Sequence, residues 1–136
     1  MRASAAVAPA VVGLAAGIIG LAGPQAAASP AAAQPVLRHI TGTAGNSGQL
    51  VCGVNTRTKN ETGNIDMVLN QAPAGQLMAR LQNAKTGMFF GEEKLLTTGM
   101  MTTTLANNIL AGTQFHVCTA SPSGSLGGPY SADLTY

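Results

Sequence analysis

From residue 49 onwards apolar and polar residues alternate in short runs, and each run stops at Gly, Pro or Asn. Residues 49–55 place Leu50, Cys52 and Val54 on one face, and the polar stretch 56–63 reads as a loop. Residues 64–70 place Ile65, Met67 and Leu69 together, with Asp66 and Asn70 opposite. After the turn Ala72-Pro73-Ala74-Gly75, residues 76–83 set Leu77, Ala79 and Leu81 against Arg80 and Gln82. A second turn, residues 83–87, leads into a strand that begins Met88-Phe89-Phe90. Runs 100–105, 113–119 and 130–136 complete the series, and in the last one Tyr130, Ala132, Leu134 and Tyr136 alternate with Ser131, Asp133 and Thr135. A side-chain period of two is that of a half-buried strand. About seven or eight such strands, roughly 10 to 15 residues apart with turn residues between them, predict an all-β antiparallel sandwich. The one stretch with helical character, 105–111, is too short to anchor a fold. The expected core is Leu50, Val54, Ile65, Met67, Leu69, Leu77, Leu81, Phe115 and Val117.

The first 28 residues follow a different plan. Met1-Arg2 supplies a positive start, an apolar run extends from residue 7 to 22, and Ala26-Ala27-Ala28 precedes Ser29. That order matches a secretory signal peptide. The run is broken by Pro9, Gly13, Gly17 and Gly20, and no basic stop-transfer cluster follows, so it does not read as a membrane span. Residues 29–35, Pro at both ends, read as a flexible leader, and 36–136 as the single sandwich domain. The expectation is therefore an exported protein, soluble once the signal is removed.

Composition narrows the partners. Seven Lys and Arg stand against five Asp and Glu, with no basic run. That balance argues against nucleic acid and anionic membranes, both of which need clustered cations. Thr, Asn, Gln, Ser and Gly keep the surface wet, and the abundance of Thr favours strands. The two cysteines, Cys52 and Cys118, read as one disulfide in an exported chain. With His39 and His116 they show no metal-site spacing, so no metal and no cofactor is expected. Their strands disagree in phase, however. Cys52 shares a face with Leu50 and Val54, whereas Cys118 falls opposite Phe115 and Val117, with Gln114 and His116. Either a bulge re-phases one strand, or the disulfide lies outside the core towards a sheet edge or rim.

Candidate chemistry is sparse. An immunoglobulin domain would place a Trp against the disulfide and a Tyr two residues before the second Cys; this chain has no Trp, and His116 holds that position. His39 and His116 are the side chains suited to proton transfer near neutral pH. No Gly-x-Ser-x-Gly or similar nucleophile signature accompanies them. Glu92 and Glu93 are adjacent, so on a strand they face opposite ways and do not form a dyad. Met67, Met78, Met88, Met100 and Met101 read as filler for a ring-poor core rather than as an adaptable binding surface. Asn60-Glu61-Thr62 fits a glycosylation acceptor in form, but the Ala-rich start has a bacterial character in which the triplet carries no weight.

The layout resembles small secreted proteins of actinobacteria. The resemblance rests on the Ala-rich signal, the strand Leu50-Val51-Cys52-Gly53-Val54, the Leu77-x-x-x-Leu81 strand running on to Gly87, and the late strand Gly112-Thr113-Gln114-Phe115-His116-Val117-Cys118. It implies a sandwich and brings no functional residues with it. The functional expectation is a secreted, non-catalytic binding or cell-surface protein, with an extracellular protein or a cell-wall component as partner. One alternative is a proteinase inhibitor presenting a loop within residues 95–104. Another is a small secreted hydrolase that uses His116 or His39.

Overall fold

The computed structural model describes residues 33–136, which form one compact unit, Ala33–Tyr136. The signal-peptide reading and most of the leader lie outside the described residues. Nine strands and no helix are found among them: β1 (Leu37–Ala44), β2 (Val51–Cys52), β3 (Arg57–Thr58), β4 (Gly63–Gln71), β5 (Gln76–Asn83), β6 (Phe89–Thr97), β7 (Thr103–Ile109), β8 (Gln114–Ala120) and β9 (Gly128–Thr135). They build two antiparallel sheets. One runs β1-β9-β4-β7; in the other, β2 and β3 lie end to end along one edge of β8, followed by β5 and β6.

The central strands form where the alternation is cleanest. Ile65, Met67 and Leu69 of β4, Leu77, Ala79 and Leu81 of β5, Phe115 and Val117 of β8, and Tyr130, Ala132 and Leu134 of β9 all point inward and are buried. The Phe115 ring meets that of Tyr136 edge to face, with centroids 5.4 Å apart. Two of the expected core residues are not in the core: Leu50 is half-buried and Val54 is 91% exposed. The reason is the register. Cys52 lies directly opposite Cys118, and Cys118 sits on the outer face of its sheet, paired with Arg80 on β5. The Leu50–Cys52–Val54 face is therefore the outer one, and the ladder ends after Cys52, which leaves Val54 in solvent. The phase conflict resolves in favour of β8: the Cys52–Cys118 disulfide forms on the outer face of its sheet, where Cys118 is nevertheless fully buried and Cys52 half-buried.

Two further elements depart from the pattern. Strand β1 is added at a sheet edge, where only Ile40 and Ala44 are buried, too few to announce a strand. Residues 105–111 do not form a helix; Leu105 and Ala106 belong to β7, which pairs with β4. Asn108 there takes a left-handed backbone (φ 55°), which Asn tolerates better than most residues. The methionines also divide: Met67 is core and Met78 half-buried, but Met88, Met100 and Met101 are exposed. Met88 precedes β6 and Met100-Met101 follow it, so they do not share one surface.

The two long sides of the sandwich close differently. At β6 and β7, Gly91 (φ 71°) sits so near the Leu105 carbonyl that a Cβ there would lie 2.6 Å from it. This side is shut. On the other side, Gly45 bridges to Ala120, with Gly45 N–H donating to the Thr119 carbonyl (3.1 Å) and Ser121 N–H donating to that of Gly45 (2.8 Å). Closure there involves only the end of β1. Between Thr41–Thr43 and the β2–β3 segment the edge stays open.

Candidate functional site: the open edge of the sandwich

A cleft of about 310 Å³ fills that opening. Thr41, Gly42 and Thr43 of β1 form one wall, and residues 51–55 with Arg57 form the other. Three consecutive β1 residues line it. Because successive side chains point to opposite faces, such a wall presents a strand edge rather than a face. Val117, Thr119 and Tyr130 supply the inner surface.

Each polar group is placed by the ladder. Tyr130 pairs with Gly42, and its ring covers the missing side chain: a Cβ at Gly42 would lie 2.8 Å from Tyr130 Cε1 and 2.9 Å from its hydroxyl oxygen. Tyr130 is thereby laid across β1 and buried. Burial pushes its phenol above the ordinary value of 10.0, while the hydrogen-bonded Thr119 hydroxyl and the Arg57 guanidinium pull it part of the way back. Arg57 pairs with Phe115, and directly opposed residues share a face, so Arg57 projects to the inner side of its sheet. It is half-buried, and its Nη1 donates to the Asn55 carbonyl (3.1 Å). Among the described residues no carboxylate pairs with it; the ion pairs there are His39–Asp133 and Lys94–Glu92. No acidic side chain lines the cleft.

A pH dependence follows from Tyr130. A raised phenol pKa means that its contribution to stability is complete below about pH 10 and is lost as the pH rises through the folded-state value. Denaturation midpoints measured across alkaline pH should fall less steeply for Tyr130→Phe than for the parent. Superimposable slopes would refute the burial of a neutral phenol here.

The histidines lie elsewhere. His39 on β1 stands opposite Asp133 on β9, and His39 Nδ1–H donates to Asp133 Oδ1 (2.8 Å). That bond, followed by one from Asn70, holds the Asp133 carboxyl below its ordinary 3.8. The pair is exposed on the outer face of its sheet, with no hydroxyl hydrogen-bonded to His39 among the described residues. His116 lies on the outer face of the other sheet, and its Nδ1–H donates to the Asn55 carbonyl (3.2 Å). The structure thus brings one histidine to a carboxylate but neither to a nucleophile. Glu92 and Glu93, with Gly91, form a break in register opposite Arg80, and both are exposed. No cluster of three or more His, Cys, Asp or Glu side chains suited to a metal ion occurs among the described residues.

Sequence reasoning pointed to the cysteines but not to Arg57, Tyr130 or Gly42. Arg57 sits in a polar run with no periodicity, and Tyr130 reads as an ordinary core position. A second, more open depression of about 480 Å³ shares Thr41–Thr43 and Tyr130 with the cleft, adds Gln71, Pro129 and Ser131, and holds no charged side chain. No protein-family model, curated protein or solved structure matches this chain.

Proposed function

We propose that the chain is a secreted, non-catalytic binding or cell-surface protein that takes an extracellular protein or a cell-wall component in the cleft between β1 and the β2–β3 segment. The observation that carries this reading is the cleft itself. It is walled by two strand edges and furnished with hydroxyls and one cation, while the paired histidine lies outside it. Sites of this kind, mostly pre-formed with a few convergent polar groups, suit recognition. The disulfide fits an oxidising compartment and clasps one wall through Cys52.

Immobilised protein should retain a partner from secreted-protein or cell-wall fractions of its own source. Val51→Trp, at an exposed β2 position that lines the cleft and not the second depression, should abolish retention without unfolding the domain. Retention that survives Val51→Trp would place the site elsewhere. Retention of nothing, together with a hydrolytic activity lost in His39→Ala, would overturn the reading in favour of an enzyme.

One observation favours a second reading. The β6–β7 connection exposes Met100 (60%) and Met101 (88%), and hydrogen bonds from Thr98 N–H to the Gly75 carbonyl and from Gly99 N–H to the Leu69 carbonyl anchor its base. Such a loop is what a proteinase inhibitor offers a protease. Inhibition of a secreted protease that disappears in Met100→Gly would support it.

A further inference from the structure

The geometry points to a carboxylate-terminated, extended peptide as the occupant of the cleft, with its carboxylate on the Arg57 guanidinium and its backbone along the free edge of β1. This rests on the cleft being the binding site, as proposed above, and adds the chemistry of what enters it.

Charge is the first argument. Arg57 is the cation of the cleft, no acidic side chain lines the walls, and no described carboxylate neutralises it. Its contact with the Asn55 carbonyl occupies Nη1 and leaves most of the guanidinium donors free. A planar fork of that kind matches a carboxylate with two parallel hydrogen bonds. The Tyr130 and Thr119 hydroxyls stand on the same inner surface.

Shape is the second. The walls are strand edges from different sheets: β1 ends one sheet, and β2 and β3 end the other. An edge strand offers backbone N–H and C=O groups to an incoming extended chain. Along the β1 wall Gly42 has no side chain to keep such a chain away, and the Tyr130 ring that fills its place lies underneath. Gly53 does the same on the facing wall, where its N–H is already committed to the Val117 carbonyl (3.0 Å). The cleft volume suits a few residues rather than a folded partner.

The test is an NMR titration of the protein with acetyl-Val-Thr-Val as the free acid, as the C-terminal amide, and with inorganic phosphate. The free acid should shift the Arg57 Nε–H and the Gly42 and Gly53 amides, and bind about tenfold or more tightly than the amide, the worth of a charge-assisted hydrogen-bond pair. Arg57→Gln should erase that difference, and Arg57→Lys, which keeps the charge but not the fork, should retain part of it. An unchanged amide spectrum away from the cleft shows that each variant is folded. Equal binding of acid and amide overturns the carboxylate assignment while leaving the cleft as a peptide site. Shifts with phosphate but not with the peptide acid overturn the peptide. No shifts with any probe, alongside partner retention that Val51→Trp abolishes, overturn this inference and leave the proposed function standing.

Discussion

Replacing Phe115 by Ala is expected to cost about 3–5 kcal/mol of folding stability, the usual range for removing a fully buried ring. Phe115 has no exposure, faces the core from the central strand β8, and stacks its edge on Tyr136 at the chain's end. Few positions join so many parts. Its strand pairs with β5 on one side and β3 on the other, and Arg57 lies directly opposite it. A domain of this size has about 5–15 kcal/mol in total, so the loss would consume much of the reserve. Thermal unfolding should show the midpoint falling by roughly 15 °C or more. A shift of a degree or two would mean that the cavity collapses freely, and that the edge-to-face pair adds little.

Removing the disulfide is the second large change. Cys52→Ala combined with Cys118→Ala opens a loop with a sequence separation of 66, for which loop entropy gives about 4 kcal/mol as an upper figure. The consequence should also be local. Strand β2 has only two residues; outside the ladder, Gly53 N–H holds its C-terminal side on the Val117 carbonyl, while the Gly45 bridge and the Ser47 and Gly48 N–H groups, on the Ser125 and Ser121 carbonyls, hold the segment before it. Hydrogen exchange in the double variant should therefore accelerate across residues 45–58 more than in β4, β5 or β9. The cleft should lose its outer wall, and retention of a partner should weaken with it. Uniform loss of protection would show that the disulfide supports the whole sandwich equally. An unchanged midpoint would show that the denatured chain is already constrained without it.

The alternation of β4, β5, β8 and β9 was legible because each strand packs one face on the core and turns the other to water. Burial then selects apolar residues at every second position: Ile65, Met67 and Leu69, or Leu77, Ala79 and Leu81. That signal is local to the strand and needs no partner to be read. Lys59 shows where it stops. It lies in a run that reads as a solvated loop, yet it is 2% exposed, and its backbone is held by the Gly112 N–H and the Thr113 carbonyl of a turn distant in sequence. Edge strands carry a related weakness: β1 buries too little to impose a pattern, and the Leu50, Cys52, Val54 alternation around β2 faces outward rather than to the core.

The candidate site was illegible for a related reason. Gly42 and Tyr130 meet through the pairing of β1 with β9, and Arg57 reaches the same space through β3 on β8. The two cysteines could be paired by counting, but which face they occupy depended on the register of β2 against β8. By itself the sequence determined the fold class, the inward faces of the long strands and the existence of the disulfide, because side-chain burial and thiol pairing leave marks on residue type. Only the tertiary structure decided which strand edges stay open and which polar groups converge there, because strand register is set by contacts between residues far apart in the chain.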